Sequence, residues 1–329
     1  MTNIRFAIPK GSLEKDTFGL LERAWYRIYG KSRTYRPILS DREVEVKLLR
    51  PQEIPIAVQE GAYDIGITGQ DWVKETNVDL QILLDLRYGA VKLVFAAPES
   101  VHSTSTEMFV EEIWRSGRAV RISTEYLNIA AEYLCSLTSY RRRFADKAPL
   151  VITPWWTKGE NKSARVYLSF GATEAKPPEE ADAILDVVET GSTLEANRLK
   201  ILGTVMHSRT ALVANRDSMK NGEKREKIYD ILSLLKGVVE AEGKLHVFVN
   251  VRKENLDKLL LQLPALKRPT INPLSDPDWF AINTIIDRSE LFRLLPTLRR
   301  LAQGLVVHEP QQIMPLEQIS REESNATLS

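Results

Sequence analysis

Near the N-terminus, short runs of alternating apolar residues give way to stretches of helical spacing, and this alternation confines the chain to the α/β class. Ile4, Phe6 and Ile8 share one face of a short strand that Pro9 closes, and Lys10-Gly11-Ser12 makes the turn. Leu21, Ala24, Trp25 and Ile28 then recur at helical spacing. Ser12 is the expected N-cap of that helix, with Glu14 and Asp16 suited to its positive end. Val44, Val46 and Leu48 mark a second strand, 54–60 a short helix, and 63–68 a strand running into Gly69. Strands and helices in strict succession predict a mainly parallel sheet.

From about residue 101 the texture changes. Polar Ser and Thr residues at 103–106 predict a hinge into a second lobe. It holds a strand at 119–123, a helix from about Asn128, a strand at 166–169 and the apolar run 183–188. Around 201–215 the first pattern returns. The expected organisation is lobe I at 1–100 and 200–222, and lobe II at 101–199, with a cleft where the chain crosses twice. The polar stretch 218–226 and the helix at 226–240 make a linker across 223–242. Residues 243–316 carry a compact ferredoxin-like βαββαβ pattern. Leu245, Val247 and Val249 alternate; Leu256, Leu259, Leu260 and Leu263 line one helix face; and Phe280, Ile282 and Ile286 mark a further strand. Leu291, Leu294, Leu295, Leu298 and Leu301 trace a second helix, expected to kink or start late at Pro296 and to be closed by Gly304. A last strand is expected at 305–308, and a disordered polar tail at 317–329.

Composition removes several function classes. Lys plus Arg (45) nearly balance Asp plus Glu (44), so the chain lacks the positive field of a nucleic-acid-binding protein despite the local run Arg141-Arg142-Arg143. A single cysteine, Cys135, rules out an intrachain disulfide and a multi-thiolate zinc site. No stretch reaches the roughly 20 apolar residues of a membrane span. With no signal-peptide pattern at the start, the expected location is the cytoplasm.

Chemistry concentrates in 183–197, where a buried strand runs into Glu189-Thr190-Gly191-Ser192-Thr193-Leu194 and the start of a helix. Helix-start N–H groups favour an anion, Gly191 permits close backbone approach, and Thr190, Ser192 and Thr193 offer hydroxyls. Asp186 at the strand end can accept bonds from a sugar diol. On the residues alone, an ordinary N-cap reads equally well. A Walker A loop is excluded, because Trp25 stands where GxxxxGKS before Gly30-Lys31-Ser32 needs its first glycine.

This segment resembles the phosphoribosyl-pyrophosphate loop of the ATP phosphoribosyltransferases, A-D-A-x-x-D-x-V-x-[ST]-G-x-T-L. Further similar blocks follow in the family's order: Ile8-Pro9-Lys10-Gly11-Ser12-Leu13, Leu49-Arg50-Pro51-Gln52-Glu53-Ile54-Pro55 and Asp64-Ile65-Gly66-Ile67-Thr68-Gly69-Gln70-Asp71. Arg121-Ile122-Ser123-Thr124-Glu125-Tyr126, Gly171-Ala172-Thr173-Glu174 and Arg268-Pro269-Thr270-Ile271-Asn272-Pro273-Leu274 complete the set. The resemblance implies a two-lobed, periplasmic-binding-protein-like catalytic part. It also implies a C-terminal regulatory domain of the family's long form.

By the same resemblance, the enzyme joins phosphoribosyl pyrophosphate to N1 of ATP at the first step of histidine biosynthesis, under feedback inhibition by histidine. Glu189, Thr190, Gly191, Ser192, Thr193 and Leu194 would wrap the 5′-phosphate, and Asp186 would hold the ribose hydroxyls. Lys10 would meet substrate phosphates and share catalysis with Asp186. Gly11, Arg50, Asp71, Trp72, Tyr126 and Glu174 would line the nucleotide site. Asn250 and Thr270 would lie near the histidine effector. Mg²⁺ would be held mainly through the substrates, with no dedicated protein ligands. Homo-oligomers, dimer or hexamer, are expected, with no nucleic-acid or membrane partner.

Structural alternatives remain at individual positions. Asp71 suits a helix cap, Tyr126 lobe packing, Arg50 and Glu174 a charged surface, and Thr270 a turn between prolines. Ser12 stands where the family often has Arg, 176–180 replaces a glycine-containing loop, and 138–162 with Trp155-Trp156 departs from the pattern. The rival functional reading is a catalytically inactive two-lobed small-molecule sensor, against which the complete Asp186–Thr193 constellation counts.

Overall fold

A computed structural model describes residues 3–30, 34–263, 269–316 and 319. The expected tail at 317–329 falls almost wholly outside the described residues, as do Lys31, Ser32 and Arg268. The chain forms two compact units. The larger takes the described parts of Met1–Thr17, Ser32–Pro37 and Glu43–Asn221; the other takes those of Phe18–Lys31, Ile38–Arg42 and Gly222–Ser329.

The larger unit is built on two sheets, each flanked by helices. In the first, the strands run in the order Val44–Leu49, Ile4–Pro9, Ile65–Gly69, Thr210–Ala214, Gln81–Asp85. The first three are parallel, with Pro9 opposite Leu49 and Phe6 opposite Ile65, whereas Thr210–Ala214 runs antiparallel to both its neighbours. In the second, the order is Thr157–Lys158, Pro149–Ile152, Asn161–Leu168, Val120–Thr124, Ala183–Val188, Val91–Pro98, Leu199–Ser208. Pro149–Ile152, Asn161–Leu168, Val120–Thr124 and Ala183–Val188 are mutually parallel.

Sheet membership moves the lobe boundaries. Val91–Pro98 and Leu199–Ser208 pair with each other inside the second sheet, so the chain changes sheets after Asp85 on the way out and after Ser208 on the way back. The boundaries at 100/101 and 199/200 lie at the far ends of these two strands. The expected hinge at 103–106 is instead a helix start, where Ser105 accepts from the Met108 N–H and caps Thr106–Arg115.

The helix read through Ile28 stops at Arg23. Trp25, at φ 65°, takes the left-handed position, its N–H donating to the Glu22 carbonyl and the Tyr26 N–H to the Leu21 carbonyl. This is a Schellman termination, and buried Leu21 and Tyr26 supply the apolar pair that accompanies it. Ile28–Tyr29 then pairs with Ile38–Leu39 as a hairpin. At the other end of the helix, Ser12 is not the cap. The Glu14 carboxylate accepts the Gly11 N–H while the Glu14 N–H donates to the Gly11 carbonyl, so Gly11 takes the capping place.

In the smaller unit the stretch expected as a linker is helical, with Gly222–Ala241 following Arg216–Lys220 of the larger. Beyond it come Lys244–Arg252, helix Lys253–Leu260, Thr270–Pro273, Trp279–Asp287, helix Arg288–Leu301 and Ala302–His308. The four strands form one antiparallel sheet in the order Thr270–Pro273, Trp279–Asp287, Lys244–Arg252, Ala302–His308, the ferredoxin-like arrangement. Its core is Leu245, Val247, Val249, Val251, Leu259, Ile282, Ile286, Leu294 and Leu298. Two expectations change here. Gly304 does not close the helix but lies in the last strand opposite Asn250, and Pro296 sits inside Arg288–Leu301 without ending it. The helix tolerates Pro296 because the carbonyl it deprives belongs to solvent-exposed Phe292, where water can replace the lost donor.

Candidate functional site

The parallel strands of both sheets end in the segments that sequence reading selected, the end at which α/β folds present ligand-binding loops. In the first sheet, Lys10 and Gly11 follow Ile4–Pro9, Arg50 follows Val44–Leu49, and Asp71 and Trp72 follow Ile65–Gly69. In the second, Tyr126 follows Val120–Thr124, Glu174 follows Asn161–Leu168, and Glu189–Leu194 follows Ala183–Val188.

Gly11, at φ 103°, lies against Arg50: a Cβ placed there would be 3.5 Å from the Arg50 guanidinium. The Lys10 ammonium sits 3.8 Å above the centre of the Tyr35 ring, a cation–π contact that holds its chain without cancelling its charge. Among the described residues, no hydrogen bond or ion pair joins this basic group to Asp186 or its turn.

Asp71, Trp72 and Tyr126 form one cluster. The Tyr126 hydroxyl donates to Asp71 Oδ2 at 2.6 Å, the Ser208 hydroxyl donates to Asp71 Oδ1 at 2.5 Å, and the Asp71 N–H donates to Ser208 Oγ. Trp72 stacks on Tyr126 with ring centres 4.4 Å apart. Asp71 is only 4% exposed, and the N-cap of its helix is Gly69, so it is not the helix cap. Its carboxylate folds back so tightly that a Cβ at residue 69 would lie 2.2 Å from Asp71 Oδ1, which only glycine avoids. Burial and the adjacent Asp71 carboxylate keep the Tyr126 hydroxyl protonated far beyond its ordinary range.

Asp186 lies two residues before the end of Ala183–Val188, the fifth of the seven strands in its sheet, with Oδ1 accepting the Val187 N–H at 2.7 Å. Burial pushes its carboxyl up to about 6, opposed by hydrogen bonds from the Val187 N–H and Thr173 and reinforced by the carboxylates of Glu125 and Glu174. The Glu125 carboxyl is itself raised by burial, against a hydrogen bond from the Gly171 N–H. The sequence does not single out Glu125, because an acid just past a strand end carries no local signature of its surroundings.

Gly191, at φ 88°, N-caps the helix Ser192–Ala196 in a left-handed conformation that a side chain would strain. Thr190 and Ser192 lie hydroxyl to hydroxyl at 3.1 Å. The first N–H groups of Ser192–Ala196 have no intrahelical acceptor. That helix has five residues, so its dipole is small and any anion rests on the amides themselves. Leu194 differs from the other turn residues: its side chain is buried with Val94, Ala96, Ile184 and Leu199, so it anchors the turn, and only its backbone faces outward.

The proposed effector residues lie on the face of the C-terminal sheet opposite the apolar core. Thr270 is in register with Asn283, and Asn250 with Ala281 and Gly304. They are two strands apart and offset by two residues, which at ~4.8 Å per strand and ~3.4 Å per residue places them roughly 12 Å from each other. Asn283, beside Thr270 in the register, has its Oδ1 in contact with Nε2 of His246, which packs on Phe248 with ring centres 4.4 Å apart.

For metals, no group of three or more His, Cys, Asp or Glu is arranged to hold an ion among the described residues. No described helix is long and apolar enough to cross a membrane.

Comparison with known proteins bears on the whole chain. The family model described as ATP phosphoribosyltransferase (HisG) matches residues 50–237, and the HisG C-terminal-domain model matches 241–310. An ATP phosphoribosyltransferase of Solibacter usitatus is 40% identical over 312 residues, covering 93% of this chain and 97% of the relative. One from Thermodesulfovibrio yellowstonii is 36% identical over 318 residues, covering 95% and 98%. Among solved structures, an ATP phosphoribosyl transferase (HisG:HisZ) complex from Thermotoga maritima superposes with a TM-score of 0.55 at 24% identity, covering 73% of this chain and 100% of that one; this likeness supports the fold. With both family models matched in order and relatives aligned almost end to end, the chain belongs to the ATP phosphoribosyltransferases, a family of pentosyltransferases.

Proposed function

We propose that this chain transfers the phosphoribosyl group of phosphoribosyl pyrophosphate to N1 of ATP, releasing pyrophosphate at the first step of histidine biosynthesis. The observation that carries the reading is the Asp186 strand end running into the Gly191 turn. A half-buried, poorly solvated carboxylate stands there beside outward amides and paired hydroxyls, in a chain with family likeness throughout.

In this reading the 5′-phosphate sits on the amides and hydroxyls of Glu189–Leu194, and Asp186 accepts from the ribose hydroxyls. The N1–C1 bond forms as the C1–O bond to pyrophosphate breaks. Adenine N1 is nucleophilic as it stands, so no activated Ser or Cys is required. Lys10 and Arg50 stabilise charge on the phosphates, and the Trp72 ring, backed by the buried Tyr126 ring, gives the purine a flat wall. Holding two polyanions in line then supplies up to about 7–11 kcal/mol of the barrier.

Mg²⁺ would be held mainly through the phosphate and ribose oxygens of the substrates, with no dedicated set of protein ligands. When bound, the ion would neutralise the leaving pyrophosphate. The C-terminal sheet binds histidine as inhibitor, with Asn250 and Thr270 at opposite ends of the site. The enzyme works as a cytoplasmic homo-oligomer, dimer or hexamer.

The test mixes the protein with ATP, phosphoribosyl pyrophosphate, Mg²⁺ and pyrophosphatase. An ultraviolet change from the N1-substituted adenine is expected. Bound ATP without a spectral change would establish the inactive sensor instead.

A further inference from the structure

Glu75 is buried, 7% exposed, and has no place in the reaction above. It lies one turn after Asp71 on the helix Gln70–Thr76, which follows the first sheet. Its carboxylate accepts the Asn128 N–H at 2.9 Å and the Ile129 N–H at 3.0 Å, while its own carbonyl accepts from the Asn128 side-chain amide at 2.7 Å. Asn128 and Ile129 form the first turn of Leu127–Ser136, a helix that packs on the second sheet.

The N-cap of that helix is Tyr126, which supplies no side-chain cap. Two helix-start N–H groups therefore depend on a carboxylate from the other half of the catalytic unit. The N-cap residue Tyr126 is also the one whose ring Trp72 stacks on and whose hydroxyl Asp71 holds. Asp71 and Glu75 stand four apart on one helix face, so a single short helix grips Tyr126 by hydroxyl, ring and following backbone. The exposed Lys74–Glu132 pair, at 3.5 Å, joins the same two helices.

We infer that Glu75 is a positioning residue for the nucleotide. By capping Leu127–Ser136 from the opposite half of the catalytic unit, it fixes the backbone of Tyr126 and so the place of the purine wall. The inference rests on the reading of Trp72 and Tyr126 as that wall.

The test is steady-state kinetics on full-length E75A and E75Q beside W72A and Y126F, with thermal melts to confirm folding at the assay temperature. E75A is expected to raise KM for ATP about tenfold, while KM for phosphoribosyl pyrophosphate stays within twofold and kcat falls less than threefold. E75Q keeps an acceptor for one N–H and should recover at least half of that loss on a logarithmic scale. Should E75A prove unfolded, E75Q carries the test by the same split, with a KM for ATP raised two- to threefold. If W72A and Y126F raise KM for ATP but the folded Glu75 variants leave it unchanged, or change both KM values equally, the positioning role is overturned. If W72A and Y126F leave KM for ATP unchanged, the purine wall itself is wrong, whatever Glu75 does.

Discussion

Asp186 is held where a carboxylate is poorly solvated, and replacing it with asparagine should separate stability from activity. Burial raises its carboxyl from 3.8 to about 6, and at about 1.4 kcal/mol per pH unit this disfavours the native state by about 3 kcal/mol once both states are ionised. Because the folded value is the higher one, the penalty is absent below pH 4, grows through pH 4–6 and is complete above it. Asp186→Asn removes the charge and keeps an acceptor for the Val187 N–H. At roughly 2–4 °C per kcal/mol, the ligand-free variant should melt about 6–12 °C higher than the parent at pH 8. Little difference should remain at pH 4. Turnover should fall about a hundredfold or more, since charged hydrogen bonds of ~1.5–3 kcal/mol each to the ribose are lost. Calorimetric melts at the two pH values, with initial rates at pH 8, make the test. Equal or lower stability at pH 8, or a gain that grows toward pH 4, would refute the argument from burial. A variant of normal activity would remove Asp186 from the sugar site.

Gly191→Ala forces a side chain into a left-handed position and should cost about 1–2 kcal/mol in a denaturant titration, raising KM for phosphoribosyl pyrophosphate at least fivefold. Leu194→Ala empties an apolar anchor and should cost ~2–3 kcal/mol, with the same KM rising and KM for ATP steady. Gly69→Ala drives a Cβ onto the Asp71 carboxylate and should weaken ATP binding, measured by calorimetry, more than it lowers the melting temperature relative to other Gly→Ala changes in the sheet. Asn250→Ala and Thr270→Ala should each raise the histidine concentration for half-inhibition at least threefold without altering uninhibited rates; unchanged inhibition in both would move the effector site elsewhere.

Much of this was legible in the sequence because one physical signal dominated each stretch. Alternation at 245–249 and helical leucine spacing at 291–301 specify a two-layer module, and the parallel strands of the first sheet announce themselves by short apolar runs ending in turns. Asp186 and Gly191 could be picked out because an acid closing an apolar run and a glycine before a helix are both conspicuous locally. What stayed hidden depended on partners far along the chain. Trp25 in a left-handed cap breaks the periodicity that Leu21 and Ile28 suggest, and no composition rule flags a tryptophan there. Glu75 looks like any helix-surface acid until Asn128 and Ile129 are placed against it. The sheet boundary differs from the lobe boundary expected from sequence because Val91–Pro98 and Leu199–Ser208 each have ordinary strand patterning, and only their mutual pairing says which sheet they join.

The placement of Thr210–Ala214 between Ile65–Gly69 and Gln81–Asp85 has a consequence for biogenesis. A ribosome releases both flanking strands long before the one that must slot between them, and the whole second sheet is made in the interval. Until then the nascent N-terminal portion carries two unpaired apolar edges, the kind of surface that recruits chaperones or sticks to a neighbouring copy. Slowing translation late in the message, within the codons for 199–214, should therefore lower soluble yield more than the same pause placed after residue 221.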